Sequence, residues 1–193
     1  MKTISLTIKG IAPLLINRFK ENDEITEAVK KSGKKDYGTP RTQAELTAYA
    51  DEPRTPKSLC WVPSTWIMGA VATISSDYKL PGSRKSLKSV AGGAIIPLEE
   101  KLYFNEKHVL SKVEIDSRPV VIQRARIMRH RARLEEWSLS FDLELDETII
   151  PVDSLHGVLT DAGKRAGLGD FRPPKGGPFG RFIIVAWKVA NSK

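Results

Sequence analysis

Arg118, Arg124, Arg126, Arg129, Arg131 and Arg133 fall within one short stretch of the chain, with His130 among them and no acid between Asp116 and Glu135. Arginine supplies a planar fork of N–H donors that meets phosphate oxygens bidentately and stacks on nucleobases, which a lysine ammonium does less well. On extended backbone, side chains two apart share a face. Arg124 and Arg126 then point one way together, and Arg129, Arg131 and Arg133 form a second row. A β-ribbon charged in this way suits a nucleic-acid backbone. The competing reading is a solvated hairpin whose arginines are neutralised by acids elsewhere in the chain.

Two further segments carry cations. Residues 167–181 form a Gly/Pro-rich stretch with Arg172, Lys175 and Arg181, and with Phe171 and Phe179 as stacking platforms. Its backbone N–H groups and its glycines permit close approach to an anion, although the same glycines also serve turns. Gly167 and Gly169 give only a G-x-G with no helix after it, so a dinucleotide fingerprint is excluded, and GGPFG lacks the Lys-Ser/Thr of a Walker loop. Lys164 and Arg165 just upstream also suit a helix C-terminus. Residues 79–93 hold Lys79, Arg84, Lys85 and Lys88 in a region free of acids from Tyr78 to Leu98, and read either as a strand clamp or as a solvated loop.

Catalytic signals are sparse. His108, His130 and His156 show no metal-ligand spacing. His130 within the arginine cluster could act as general base in metal-independent RNA cleavage, the guanidiniums stabilising phosphorane charge. Asp142 and Glu144 sit on an alternating strand face and read as solubilising. No cofactor is expected. The single cysteine, Cys60, lies in the apolar run Leu59–Val62, which points to a buried thiol and excludes an internal disulfide or a cysteine zinc site.

The bulk properties agree with a polyanionic partner. The chain has 193 residues and a formal net charge of +8, with an isoelectric point near 9.6. That balance favours nucleic acid. No apolar run reaches the roughly 20 residues that span a bilayer, and the N-terminus alternates in polarity and lacks the apolar core of a signal peptide. A reducing, cytoplasmic setting is expected.

The elements that must position these groups follow from periodicity. Ile4, Leu6 and Ile8 alternate with polar residues as a first strand, continuing toward Leu14–Ile16. Residues 17–57 are polar and charged and read as an insertion or flexible arm, with a short helix over 42–50 and a mobile lysine segment at 30–35. Ser64 caps a predicted helix whose stripe is Ile67, Ala70, Val71 and Ile74. The polar, basic stretch 83–93 reads as a second loop or a short helix before a strand predicted over 94–98. Strands over 112–116 and 120–128, broken at Arg118-Pro119, place the basic hairpin within residues 112–134. Residues 136–145 alternate most clearly of all. A second helix is predicted over 153–166 with Asp153 as N-cap and Gly167 just past its end, and residues 181–189 form the last strand. The order makes a single α+β domain over residues 1–193. It has a ferredoxin-like or RRM-like antiparallel sheet with two helices, a long N-terminal insertion and a β-hairpin extension.

The segment VPSTWIMGAVATIS resembles the signature of the RAMP superfamily, in which Pro-Ser leads into a helix of pattern Lys-Gly-Ala-Leu-Arg. Pro63-Ser64 and Gly69-Ala70-Val71 hold the corresponding places, while the two basic positions of that pattern are Met68 and Ala72 here. The C-terminal GLGDFRPPKGGPFGRFII is similar to the glycine-rich loop and last strand of the same superfamily, and more closely to an uncharacterised group of phage and prophage proteins. The resemblance implies an RRM-like core related to the subunits that coat guide RNA in CRISPR effector complexes and polymerise along the strand. The expectation is therefore a non-enzymatic binder of RNA or single-stranded DNA, able to form a homo-oligomer. Its contact residues are expected to be Arg84, Lys85, Lys88, Arg118, Arg124, Arg126, Arg129, Arg131, Arg133, Arg172, Lys175, Phe179 and Arg181. The alternatives are an endoribonuclease using His130 and a structural or partner-binding phage protein.

Overall fold

A computed structural model describes residues 1–18, 39–122 and 125–191, with side chains described for the same residues except 121, 122 and 125. In chain order the elements are β1 (Lys2–Gly10), β2 (Leu14–Ile16), α1 (Pro40–Thr47), β3 (Trp61–Pro63), α2 (Thr65–Ile74), α3 (Lys88–Ala94), β4 (Ile95–Pro97) and β5 (Lys101–Tyr103). They continue with β6 (Glu114–Ile122), β7 (Ala125–Leu134), β8 (Ser138–Leu145), α4 (Val152–Asp161) and β9 (Phe182–Asn191). The molecule is α+β, and all its strand pairings are antiparallel.

The principal sheet has the order β4-β8-β1-β9. Alternation along β1 buries Ile4, Leu6 and Ile8, and along β8 it buries Leu139, Phe141, Leu143 and Leu145. Both apolar rows face α2 and α4, which contribute Ile67, Ala70, Val71, Ile74, Leu155, Val158 and Leu159 to one continuous core. Fully burying a side chain of this size stabilises by about 1.5–3 kcal/mol, so this two-layer contact dominates the stability. Trp137, 1% exposed, closes one end of the core. Its indole N–H donates to the Ala12 carbonyl at 2.9 Å, and its ring lies where a side chain on Gly10 would otherwise be.

A second sheet, β2-β7-β6, carries the basic hairpin. β6 runs unbroken through Arg118 and Pro119, where the sequence suggested a break. The reason is position. β6 is the outer strand of its sheet, so the missing N–H of Pro119 can face outward without disrupting the ladder. The hairpin base is held on one side by α1, where the Ala132 N–H donates to Thr47 Oγ1 at 2.8 Å. Arg41 fixes the same base by donating to the Val113, Leu110 and Ser111 carbonyls. The part of the 17–57 segment that is described is thus packed structure, with Ala44, Thr47, Ala48 and Ala50 buried. The lysine-rich stretch 30–35 lies outside the described residues.

One smaller expectation, the Asp153 cap, is corrected, and two others gain detail. Pro151, with Asp153 in the first turn, stands at the start of α4 in place of an Asp153 cap. The end of that helix widens into a π turn over Ala162–Ala166 before Gly167, whose φ of 64° reverses the chain. The 79–93 segment ends in the short helix α3 and packs Leu87 and Ala91 into the core.

Candidate nucleic-acid interface

The hairpin register sets the faces. Arg118 stands directly opposite Arg129, Asp116 opposite Arg131, and Glu114 opposite Arg133. All six project to the side that meets the glycine-rich loop. The opposite side carries Ser117 across from His130 and Pro119 across from Met128.

At the base of the loop-facing side lies a buried charge network. Arg131 is 7% exposed and Asp116 4% exposed. Arg131 Nε lies 2.7 Å from Asp170 Oδ2, but off the N–H direction, so no hydrogen bond is formed there and the attraction is Coulombic. Arg131 Nη1 lies 3.9 Å from Asp116 Oδ2. Asp170 is itself fixed by Asn17 Nδ2 at 3.1 Å and by the Phe171 N–H at 2.9 Å. Burying such charges is tolerable only when they are paired. Arg131 is therefore a structural cation, withdrawn from any external partner. Arg133 is engaged as well, through Nη2 and Nε at 2.6 and 2.8 Å from Glu135 Oε2.

Arg118 is held differently. Its Nε donates to both oxygens of Asp116 at 2.8 and 3.0 Å. Its guanidinium carbon lies 4.7 Å from the Phe179 ring centroid and 5.9 Å from that of Phe171. The Nη groups have no hydrogen-bond partner among the described residues. Arg129, facing it, has neither an ion pair nor a hydrogen bond from its side chain to any described residue. Like charges directly opposite on a ribbon are destabilising, and Asp116 relieves only one of this pair. An anion placed between the two guanidiniums would be met by ordered donors on one side and a free cation on the other.

The glycine-rich loop is the scaffold of that arrangement. The Asp170 N–H donates to the Leu15 carbonyl and the Gly180 N–H to the Pro13 carbonyl, both at 2.8 Å, which docks the loop on β2. A Cβ at Gly177 would fall inside the Phe171 carbonyl, so this glycine serves close packing. Phe179 is 5% exposed and covered by Arg118. Its expected role as a stacking platform for a base is therefore corrected: the ring supports an arginine. Among the loop cations, Lys175 and Arg181 are exposed, while Arg172 has a buried Nε with no hydrogen-bond partner.

The remaining expected contacts scatter. Arg126 is exposed on the outer hairpin, and Arg124 lies outside the described residues. Arg84, Lys85 and Lys88 are exposed, but their segment is anchored to α4 through Tyr78 Oη to Asp161 at 3.0 Å and Arg165 to Asp77 at 2.5 Å. No hydrogen bond or ion pair among the described residues joins it to the hairpin.

Sequence reasoning missed a second aromatic cluster. Tyr49, Trp61 and Trp66 meet at centroid separations of 5.0 and 5.8 Å, and Lys101 Nζ lies 4.9 Å from the Trp61 centroid. Tyr103, opposite Trp61 on the β3–β5 ribbon, donates from its hydroxyl to Asp51 at 2.7 Å. Trp61 is thereby flanked by a ring and an ammonium, and the cluster fixes the segment after α1 to the ribbon. The open face of the principal sheet is hydroxylated, with Thr7 and Ser140 bonded at 2.9 Å and Asn105 donating to Ser138 and Ser140. It offers no aromatic side chain for a base among the described residues. Burial raises the Cys60 thiol to a pKa of about 11, which removes it as a nucleophile. No group of side chains suited to a metal ion occurs among the described residues, and no helix among them is long and apolar enough to cross a membrane.

No family model and no curated protein matches the chain.

Proposed function

We propose that this protein binds RNA or single-stranded DNA through the phosphate backbone without cleaving it. The observation that carries the reading is the cross-strand pair Arg118 and Arg129, with one guanidinium pinned by Asp116 and Phe179 and the other without a counter-charge among the described residues. Such a pair costs folding free energy unless an anion occupies it. Arg172, Lys175 and Arg181 extend the positive surface on the loop that supports the hairpin, and the net charge of +8 favours encounter with a polyanion.

The strand order β4-β8-β1-β9, with helices in the two crossovers, supports a split βαβ, ferredoxin-like core, which accords with the RAMP resemblance of the two sequence segments. With a hydroxylated sheet face, such a core would hold its strand by the hairpin and loop and not by stacking bases on the sheet. Binding is favoured over the endoribonuclease reading by the placement of His130. Its Nδ1 lies 2.7 Å from Ser117 Oγ, on the hairpin side opposite the arginine pair, so the base and the phosphate site do not converge.

The test is titration of single-stranded oligonucleotides across a salt series. The Arg118→Ala/Arg129→Ala variant is expected to fold with a lowered thermal midpoint, since buried Asp116 loses the Arg118 donor, and, while still folded, to lose at least tenfold in affinity at low salt. Its slope of log affinity against log salt should be shallower by about 1.4, two phosphate contacts at ~0.7 each. Wild-type affinity that ignores salt, or a variant that binds as wild type does, would overturn the reading.

A further inference from the structure

The segment between α2 and α3 divides its charges as the hairpin does. The Leu80 N–H donates to the Lys85 carbonyl at 2.9 Å and the Leu87 N–H to the Tyr78 carbonyl at 2.8 Å, while Lys79 and Ser86 form a bridge. These bonds make a narrow, two-sided loop over 78–87. Ser83 closes its tip: its N–H donates to the Leu80 carbonyl at 3.0 Å, and its Oγ accepts from the Lys85 N–H at 3.1 Å. Gly82, with a φ of 67°, supplies the left-handed residue that so tight a reversal requires. Leu87 is in the core and Leu80 packs against it, so the loop is seated on the fold. Two acids are engaged at its foot, Asp77 by Arg165 at 2.5 Å and Asp161 by the Tyr78 hydroxyl at 3.0 Å. Beyond the foot, Lys79, Arg84, Lys85 and Lys88 are exposed, and none of their side chains has an ion pair or hydrogen bond to a described residue. Like charges gathered on one ordered loop repel each other, and a polyanion relieves that repulsion.

One short stretch of chain holds both basic elements. Arg165 anchors the loop through Asp77, and Asp170, five residues on, meets Arg131 at the base of the hairpin. Five residues of chain reach at most about 18 Å, so the two anchorages lie close together at a set spacing.

We propose that the 79–88 loop is a second contact for the strand held by the Arg118–Arg129 pair, gripping its phosphates through Arg84, Lys85 and Lys88. This grip rests on the nucleic-acid reading of the hairpin and extends it: one strand engages two separate basic elements at once. Lysine meets phosphate as a point charge, so the second contact reads charge and not sequence. A lipid surface fits the loop less well. The tip residues Pro81, Gly82 and Ser83 offer no aromatic or large aliphatic side chain to enter a bilayer interface, and Leu80 packs inward. With the strand already on the hairpin, the second contact is intramolecular and gains from a raised effective concentration. Affinity therefore rises once the strand is long enough to reach both.

The test titrates mixed-sequence single-stranded oligonucleotides of about 5 and about 25 nucleotides, lengths that bracket the usual site sizes for single strands. Arg84→Ala/Lys85→Ala/Lys88→Ala should keep the wild-type thermal midpoint, because these side chains hold nothing in the fold. It should bind the short oligonucleotide within twofold of wild type and lose at least tenfold on the long one. The salt slope for the long one should be shallower by about 2, three phosphates at ~0.7 each. Lys57→Ala/Lys107→Ala/Lys112→Ala removes equal charge from exposed positions elsewhere and should cost less than threefold at either length. The Arg118→Ala/Arg129→Ala variant should lose affinity at both lengths. If that variant weakens binding and the loop variant does not, the hairpin reading stands and the second contact is refuted. Equal losses on short and long oligonucleotides, an equal loss in the control variant, or a loop variant that loses binding only to phosphatidylserine vesicles would also overturn the proposal.

Discussion

The inner and outer halves of one hairpin use the same residue for opposite ends. Arg131 and Arg133 near the base are neutralised by Asp116, Asp170 and Glu135. Arg129, two residues further out on the same face, has no such partner among the described residues, and Arg118 across from it has none there for its Nη groups. Composition and alternation are identical along this row, so the difference comes from tertiary neighbours. Asp170 arrives from the glycine-rich loop and reaches only the base of the ribbon. A row of like side chains is thus divided into anchors and contacts by how far the supporting loop extends.

The strongest way to break this distinction is at the anchor. Arg131→Met leaves the buried Asp116 and the half-buried Asp170 with one cation fewer, and removing one member of a buried pair costs about 3–5 kcal/mol. For a chain of this size that corresponds to a fall in thermal midpoint of roughly 6–20 °C. Calorimetry reads it directly, and Arg131→Met/Asp170→Asn should recover part of the loss. A wild-type midpoint in the single variant would mean that Arg131 is no anchor, and the comparison would fail.

How much of this was legible in the sequence follows from the same contrast. The alternation of Ile4, Leu6 and Ile8, and of Leu139 to Leu145, gave the principal strands, because one buried face imposes a period of two. The stripe Ile67–Ile74 gave its helix for the analogous reason. The arginine run was visible as a chemical feature, but its neutralisation was not. Asp116 borders the run, where the sequence gives no sign that it turns inward, and Asp170 lies far along the chain. Phe179 is opaque for a related reason: an aromatic residue in a glycine-rich stretch suggests exposure, and only the docking of that loop on β2 shows that the ring is covered. Pro119 misled in the other direction, since a proline ends a central strand but is tolerated on an edge.

A smaller effect sharpens the comparison at the contact itself. Phe179→Leu removes the ring under Arg118 while leaving every charge in place. A cation–π contact of this kind contributes on the order of 0.5–2 kcal/mol, and its loss frees Arg118 to adopt other rotamers. Oligonucleotide affinity should fall a few-fold with an unchanged salt slope, because the number of phosphates neutralised stays the same. A change in slope would show that Phe179 governs which contacts form, not how well one of them is ordered.

The smallest effect is expected at Arg133, where the distinction is most exposed to failure. Its side chain is 29% exposed and its partner Glu135 52% exposed. An ion pair this open contributes at most about 1 kcal/mol, so Arg133→Ala should move the thermal midpoint only slightly. Because Glu135 already neutralises it, the substitution should also change oligonucleotide affinity by less than about threefold, with a loss of salt slope well short of the ~0.7 that one phosphate contact carries. Glu135→Gln is the complementary variant: freeing Arg133 should raise affinity. If Arg133→Ala instead weakens binding as much as Arg118→Ala, the strand reaches the base of the hairpin and displaces Glu135, and the line between anchor and contact moves inward to Arg131.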